Sequence, residues 1–254
     1  MTKTDPQQRP DVDPMFLWPF ASTRTVLALG AAIVALLVFF RLFPSVDIAT
    51  SRMFFEPIAC ETGKVCGSFP ISASAPIQPI RQLLQAMPVV LAIALLAVIL
   101  WRVIVRRSGI DLFNAAGLSA VLALVLGAGV VVNVILKEFW GRPRPVFTDL
   151  FGGPFPFVPA GQITDHCAGN CSFVSGEAAG AFWLVGLAAL APAPYRIPAM
   201  IVAFCAAAFT SFLRITFGGH YLSDVVIAAL ISLFVFSVVA SVARRLIAMP
   251  FLER

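Results

Sequence analysis

The chain has 254 residues, of which 59% are hydrophobic and only 12% charged, with a formal net charge of +5. Those proportions exclude an ordinary soluble domain, in which about half the residues are apolar and about a quarter charged. The basic residues sit at the borders of apolar runs rather than in one stripe, so the positive charge speaks for membrane orientation and against a nucleic-acid partner.

The opening residues are rich in Asp, Pro and Gln, and residues 1–24 are read as a disordered cytoplasmic tail. Residues 25–254 form one membrane domain with no room for a separate soluble unit. A run of roughly 20 apolar residues crosses a bilayer as a helix. By that measure residues 25–40, 89–105, 115–136, 177–190, 199–213 and 225–242 are six spans, and the predicted class is an all-α polytopic bundle of six transmembrane helices. The first span is read as a retained signal anchor, since no small-residue cleavage site clearly follows it. The fourth and fifth are short and bounded by Pro192, Pro194 and Pro198.

Between the first two spans lie Cys60 and Cys66, then residues 77–85, read as an interfacial amphipathic helix with Arg81 towards lipid headgroups. Residues 147–158, with Gly152-Gly153 and several prolines, join two chemically active segments and are read as a substrate-facing cover. Cys167 and Cys171 follow, and Cys205, inside span five, is read as a small core side chain. Basic residues flanking the spans place both termini in the cytoplasm, with Lys3, Arg9, Arg24, Arg102, Arg106, Arg107, Arg196, Arg244, Arg245 and Arg254 on that side. Arg41, Arg52, Lys64 and Arg81 then lie outside, as do the four thiols. In an oxidising compartment these thiols pair as disulfides, most simply Cys60 with Cys66 and Cys167 with Cys171; the rival reading, a metal site, has poor ligand spacing.

Three polar pieces interrupt the apolar sequence. Lys137 ends span three, and Arg144-Pro145 follows six residues on; an ammonium and a forked guanidinium are natural ligands for a phosphate dianion. Ser175-Gly176 opens span four, where a glycine lets backbone approach an anion at a helix N-terminus. Arg214 ends span five, and His220 and Asp224 are spaced i, i+4, which on a helix puts both on one face, as an imidazole held by a carboxylate. An aspartate at a span start is costly and seldom idle.

The pieces K-x6-R-P (Lys137, Arg144, Pro145), S-G (Ser175, Gly176) and R-x5-H-x3-D (Arg214, His220, Asp224) resemble the three-part signature of the type 2 phosphatidic acid phosphatase superfamily over residues 85–245. The resemblance implies a six-helix membrane core that works without metal or other cofactor, through a phosphohistidine intermediate. It casts His220 as nucleophile, Asp224 as its orienting partner, Lys137, Arg144 and Arg214 as phosphate ligands, and Ser175 with the Gly176 amide as the rest of the cradle. The family's middle motif ends in a histidine that protonates the leaving oxygen, whereas here Glu177 stands there. Glu177 is read as the acid in its place; His166, the other histidine, and a substrate with an acidic leaving group are the alternatives.

The bacterial members this chain resembles act on phosphatidylglycerol phosphate, undecaprenyl diphosphate or lipid A. The expectation is a hydrolase in the bacterial inner membrane with its site at the periplasmic face, and the paired cysteines and Pro-rich cover favour lipid A. A lipid phosphotransferase is the chemical rival, and a non-catalytic lipid-binding or transport protein the rival of another class. The expected partners are the lipid and the membrane, with no obligate protein partner evident.

Overall fold

The computed structural model describes residues 16–60, 65–108 and 111–248. Lys3, Arg9, Lys64 and Arg254, used above for orientation, lie outside them. Ordered structure begins earlier than the predicted tail allows: Phe16, Leu17, Phe20 and Ala21 are buried, and Phe20 packs edge-on to Phe236 at 5.2 Å. Ser22 then caps α1 (Thr23–Leu42) by accepting from the Thr25 amide.

Next come a short helix α2 (Ser45–Arg52) and a hairpin of β1 (Glu56–Ile58) and β2 (Cys66–Ser68), none of it foreseen. Helix α3 runs unbroken from Ile77 to Ile104. The predicted interfacial helix over 77–85 is therefore the first turns of a span, and Arg81 points into the protein instead of at headgroups. Asp111 caps α4 (Leu112–Leu124), accepting from the Asn114 amide at 2.8 Å. The same rod continues as a π-helix over Val125–Leu136 and ends in the short α5 (Lys137–Phe139). A π-helical stretch bonds each amide one residue further back and is commonly found at functional sites.

Helix α6 (Gly176–Leu187) is followed by a 3-10 turn at Ala188–Leu190, then α7 (Ala193–Thr216) and α8 (Leu222–Ile247). Among the described residues, five helices are long and apolar enough to cross a membrane: α1, α3, the α4–α5 rod, α7 and α8. The fourth predicted span, seen as Gly176–Leu190, is shorter. At 1.5 Å per residue it reaches about 22 Å, against a hydrocarbon core of about 30 Å. It is apolar because neighbouring helices enclose it: every residue from Ala178 to Gly186 is buried, and the Trp183 indole donates to the Ala120 carbonyl at 2.7 Å. A side chain at Gly186 would strike the Phe236 ring, with Cβ 2.5 Å from it, so glycine sets the α6–α8 approach.

Helix α7 starts six residues before its predicted boundary. Pro194 falls in its first turn, where the missing amide costs nothing, and Pro198 is carried inside it. Its outer face carries Val202, 70% exposed, and Cys205, also exposed. Cys205 is thus not a core residue but lies on an apolar outer surface suited to lipid.

Alternating helix direction gathers α2, the hairpin and residues 140–175 at one end of the bundle. Segment 147–158 is packed there as well as exposed: Phe151 joins Phe55 and Phe69 in an aromatic cluster, and Phe157 meets Tyr221 at 5.4 Å. Cys60–Cys66 and Cys167–Cys171 are disulfides, which removes the metal reading of those thiols.

Candidate active site

Lys137 emerges where the π-helix relaxes to α. After it, Gly141 takes φ +69°, and a Cβ there would lie 1.7 Å from the Thr164 carbonyl, so only glycine admits this turn. The turn sends Arg142 inward and leaves Arg144 facing a cavity of about 680 Å³. One end of that cavity is polar, lined by Arg81, Lys137, Arg144, Asn170, Glu177 and Arg214. The rest is apolar, running between α3 (Val89, Ala92, Ile93, Leu96) and the α4–α5 rod (Val121, Leu124, Val125, Ala128). Lys137, Arg144, Gly176, Glu177 and Arg214, singled out from sequence, are brought to this one cavity.

Asn170, which the motif pattern does not contain, ties two of the cations together. Its Oδ1 accepts from Lys137 Nζ at 3.1 Å and from Arg144 at 2.8 Å, and its carbonyl accepts from Arg144 at 2.8 Å. It sits at φ +49° within the Cys167–Cys171 loop. Arg214 is 5% exposed and lies over Gly219, where a Cβ would come within 2.5 Å of its guanidinium.

Glu177 faces the polar end, where both its oxygens accept from Arg81, Oε2 at 3.1 Å and Oε1 at 2.5 Å. Ser175 is fully buried and acts as the N-cap of α6, its Oγ accepting from the Ala178 amide at 3.3 Å. Gly176 meets Asn133 of the π-helix so closely that a Cβ would fall 2.3 Å from Oδ1. His166 lies apart, in a second cavity of about 420 Å³ with Phe147 and Phe155, which shares only Arg144 and Asn170 with the first.

The nucleophile candidate is held differently from the sequence expectation. His220 precedes α8 and lies in the turn after α7, so it and Asp224 do not share a helical face. Its Nδ1 lies 2.7 Å from the Ser172 carbonyl and 3.9 Å from Asp224 Oδ2. A carbonyl can only accept, so Nδ1 carries the proton and Nε2 keeps its lone pair. Asp224 acts one bond further out: its Oδ2 accepts from the Ser172 hydroxyl at 2.5 Å and from the Tyr221 amide at 2.9 Å. Burial pushes the His220 imidazole down to about 4, with Asp224 opposing and Arg214 reinforcing the shift, so it is neutral and nucleophilic at neutral pH.

Behind it Asp224 joins a charge cluster whose other members, Arg142 and Asp47, sequence reasoning missed. The Arg142 guanidinium is wholly buried and donates to Asp224 Oδ1 at 2.6 Å, Asp47 Oδ2 at 2.9 Å, Ser223 Oγ at 2.8 Å and, through Nε, the Val158 carbonyl at 2.8 Å. Asp47, from α2, also accepts from the Ser223 amide and hydroxyl at 2.8 and 2.6 Å. Burial works against the Arg142 charge, but Asp224 and Asp47 outweigh it and hold the guanidinium above its ordinary value. The available signal was an aspartate and an arginine beside predicted spans, where unpaired charge is expensive.

Residues 117–248 match the PAP2 superfamily. The chain is 42% identical over 216 residues to a lipid A 4'-phosphatase of Rhizobium etli, covering 80% of this chain and 81% of that one. It is 40% identical to a lipid A 4'-phosphatase of Rhizobium leguminosarum, covering 80% and 89% of the two chains. A lipid A 4'-phosphatase of Francisella tularensis subsp. novicida is 32% identical, covering 74% and 82%. No solved structure matches. With Lys137, Arg144, Gly176 and Arg214 converging on one cavity and relatives this similar along most of their length, the chain belongs to the PAP2 superfamily.

Proposed function

We propose that this protein is an integral membrane phosphatase that removes a phosphate from lipid A, at the periplasmic face of a bacterial inner membrane and through a phosphohistidine intermediate. The observation that carries it is the single cavity with an apolar flank and a polar end lined by Lys137, Arg144 and Arg214. An acyl chain fits the first and a phosphate dianion the second. The neighbouring cavity beyond Arg144 gives room for a headgroup bulkier than glycerol phosphate. The lipid A 4'-phosphatase relatives favour that headgroup over undecaprenyl diphosphate or phosphatidylglycerol phosphate.

In the first step His220 Nε2 attacks phosphorus in line, the P–N bond forms and the bond to the leaving alkoxide breaks. Lys137, Arg144 and Arg214 stabilise the charge on the equatorial oxygens. The Ser172 carbonyl holds the Nδ1 proton and, with Asp224 behind it, the imidazolium charge that develops. In the second step water attacks phosphorus, the P–N bond breaks and phosphate leaves.

Glu177 lines the cavity, but both its oxygens accept from Arg81, which is the behaviour of an ionised carboxylate. That geometry fits a general base for the second step better than the acid expected for the first. The leaving alkoxide then takes its proton from water at the cavity mouth or from His166. Glu177→Gln therefore slows turnover by about 10²-fold or more and accumulates phosphoenzyme, which ³²P-labelled lipid detects in the denatured protein. Slow turnover with no phosphoenzyme would restore Glu177 as the acid.

The function is tested by phosphate release from lipid A, undecaprenyl diphosphate, phosphatidylglycerol phosphate and phosphatidic acid in detergent, without added metal. Release greatest from lipid A is expected. Preference for another lipid would keep the chemistry and overturn the substrate; no release from any would point to a phosphotransferase or a lipid-binding protein.

A further inference from the structure

Two guanidinium groups approach Glu177, a carboxylate lining the cavity. Arg81, from the first turns of α3, takes both oxygens of Glu177 in a fork, and its guanidinium lies 5.9 Å from the centre of the Phe217 ring. Arg214 comes from the end of α7, and its Nε lies 3.4 Å from Glu177 Oε1. That Nε is buried and makes no hydrogen bond among the described residues. A buried donor without a partner is costly, so Arg214 is under pressure to seize the carboxylate. The fork from Arg81 fixes the carboxylate in an orientation in which Arg214 Nε, although within ion-pair distance, makes no hydrogen bond to it.

We propose that Arg81 is a positioning residue that holds Glu177 away from Arg214 and so leaves Arg214 free to bind the substrate phosphate. Without Arg81, Glu177 closes the 3.4 Å gap, its carboxylate accepts from Arg214, and one cation of the phosphate cradle is neutralised. Phosphate must then compete with an internal anion for that guanidinium. The pairing also accounts for the position of Arg81: with histidine at 177, as in the family pattern, there would be no carboxylate to restrain. The inference rests on the reading of Arg214 as a phosphate ligand.

Binding of orthovanadate, a phosphate mimic, to the full-length protein in detergent separates the possibilities. It is measured for the native protein, Arg81→Ala, Arg81→Lys, Glu177→Gln, Arg81→Ala/Glu177→Gln and Arg214→Ala. Arg81→Ala is expected to weaken binding at least about tenfold, and Arg81→Lys, which keeps the charge but loses the fork, by less. Removing the carboxylate as well should restore binding to within about threefold of Glu177→Gln alone, a recovery that misfolding of the Arg81 variant could not give. In turnover, Arg81→Ala raises KM for the lipid more than it lowers kcat. Native-like vanadate binding by Arg81→Ala, or a double variant as weak as Arg81→Ala, overturns the role of Arg81 while a weakened Arg214→Ala leaves the phosphate cradle standing. Native-like binding by Arg214→Ala would sink the cradle reading and this inference with it.

Discussion

His220→Ala should abolish phosphate release, with a fall on the order of 10⁶-fold, the scale on which removing a covalent nucleophile acts. Vanadate affinity should fall far less, because Lys137, Arg144 and Arg214 remain. Loss of turnover with retained anion binding is what distinguishes a nucleophile from a structural histidine. A variant that still releases phosphate at more than a few per cent of the native rate would remove His220 from the chemistry.

The protonation state can be read separately. The chain has only two histidines, so ¹³C-labelled imidazole gives two sets of signals, and the set missing in His220→Ala belongs to His220. Its titration midpoint is expected near 4, because burial disfavours the imidazolium. The sign matters for function: the ring is neutral above that midpoint, so the nucleophile stays available from mildly acidic pH upward and is lost only as pH falls towards 4. A midpoint near the ordinary value of about 6.5 would mean that the ring is more hydrated than the structure shows.

The long spans were legible because a lipid-facing helix must be apolar through the hydrocarbon, and α1, the later turns of α3 and most of α8 carry that signal. The enclosure of α6 by its neighbours was not, since a helix enclosed by protein and one exposed to lipid look alike in composition. The π-helix over Val125–Leu136 was hidden for a related reason: a run apolar on all sides carries no periodicity to separate i+4 from i+5 bonding. In the site, charged residues at span ends were legible because each interrupts a costly apolar context. Arg81 was misplaced because its partner, Glu177, is 96 residues away and the pairing exists only in three dimensions. Ser172 was missed because its carbonyl, which any residue could supply, is what holds His220.

Arg142→Ala is the change expected to be most damaging to the scaffold. It would leave Asp47 and Asp224 facing one another in a buried site with their shared cation gone, along with the bond to the Val158 carbonyl. Breaking a buried ion pair from one side typically costs about 3–5 kcal/mol, because the remaining charge is uncompensated. Thermal unfolding in detergent should therefore begin well below that of the native protein. Activity should be lost too, since Asp224 orients Ser172 and Ser172 holds His220. Adding Asp47→Asn to Arg142→Ala removes one of the stranded charges and should recover part of the stability. It should not restore turnover, because Asp224 still lacks the cation that positions it. If the double variant is no more stable than Arg142→Ala, the loss lies in packing against Tyr221, whose ring centre is 4.2 Å from the guanidinium, and the charge account of this cluster fails. Arg142→Lys gives the intermediate case: one ammonium can reach one carboxylate, but it cannot span α2 and α8 together as the fork does.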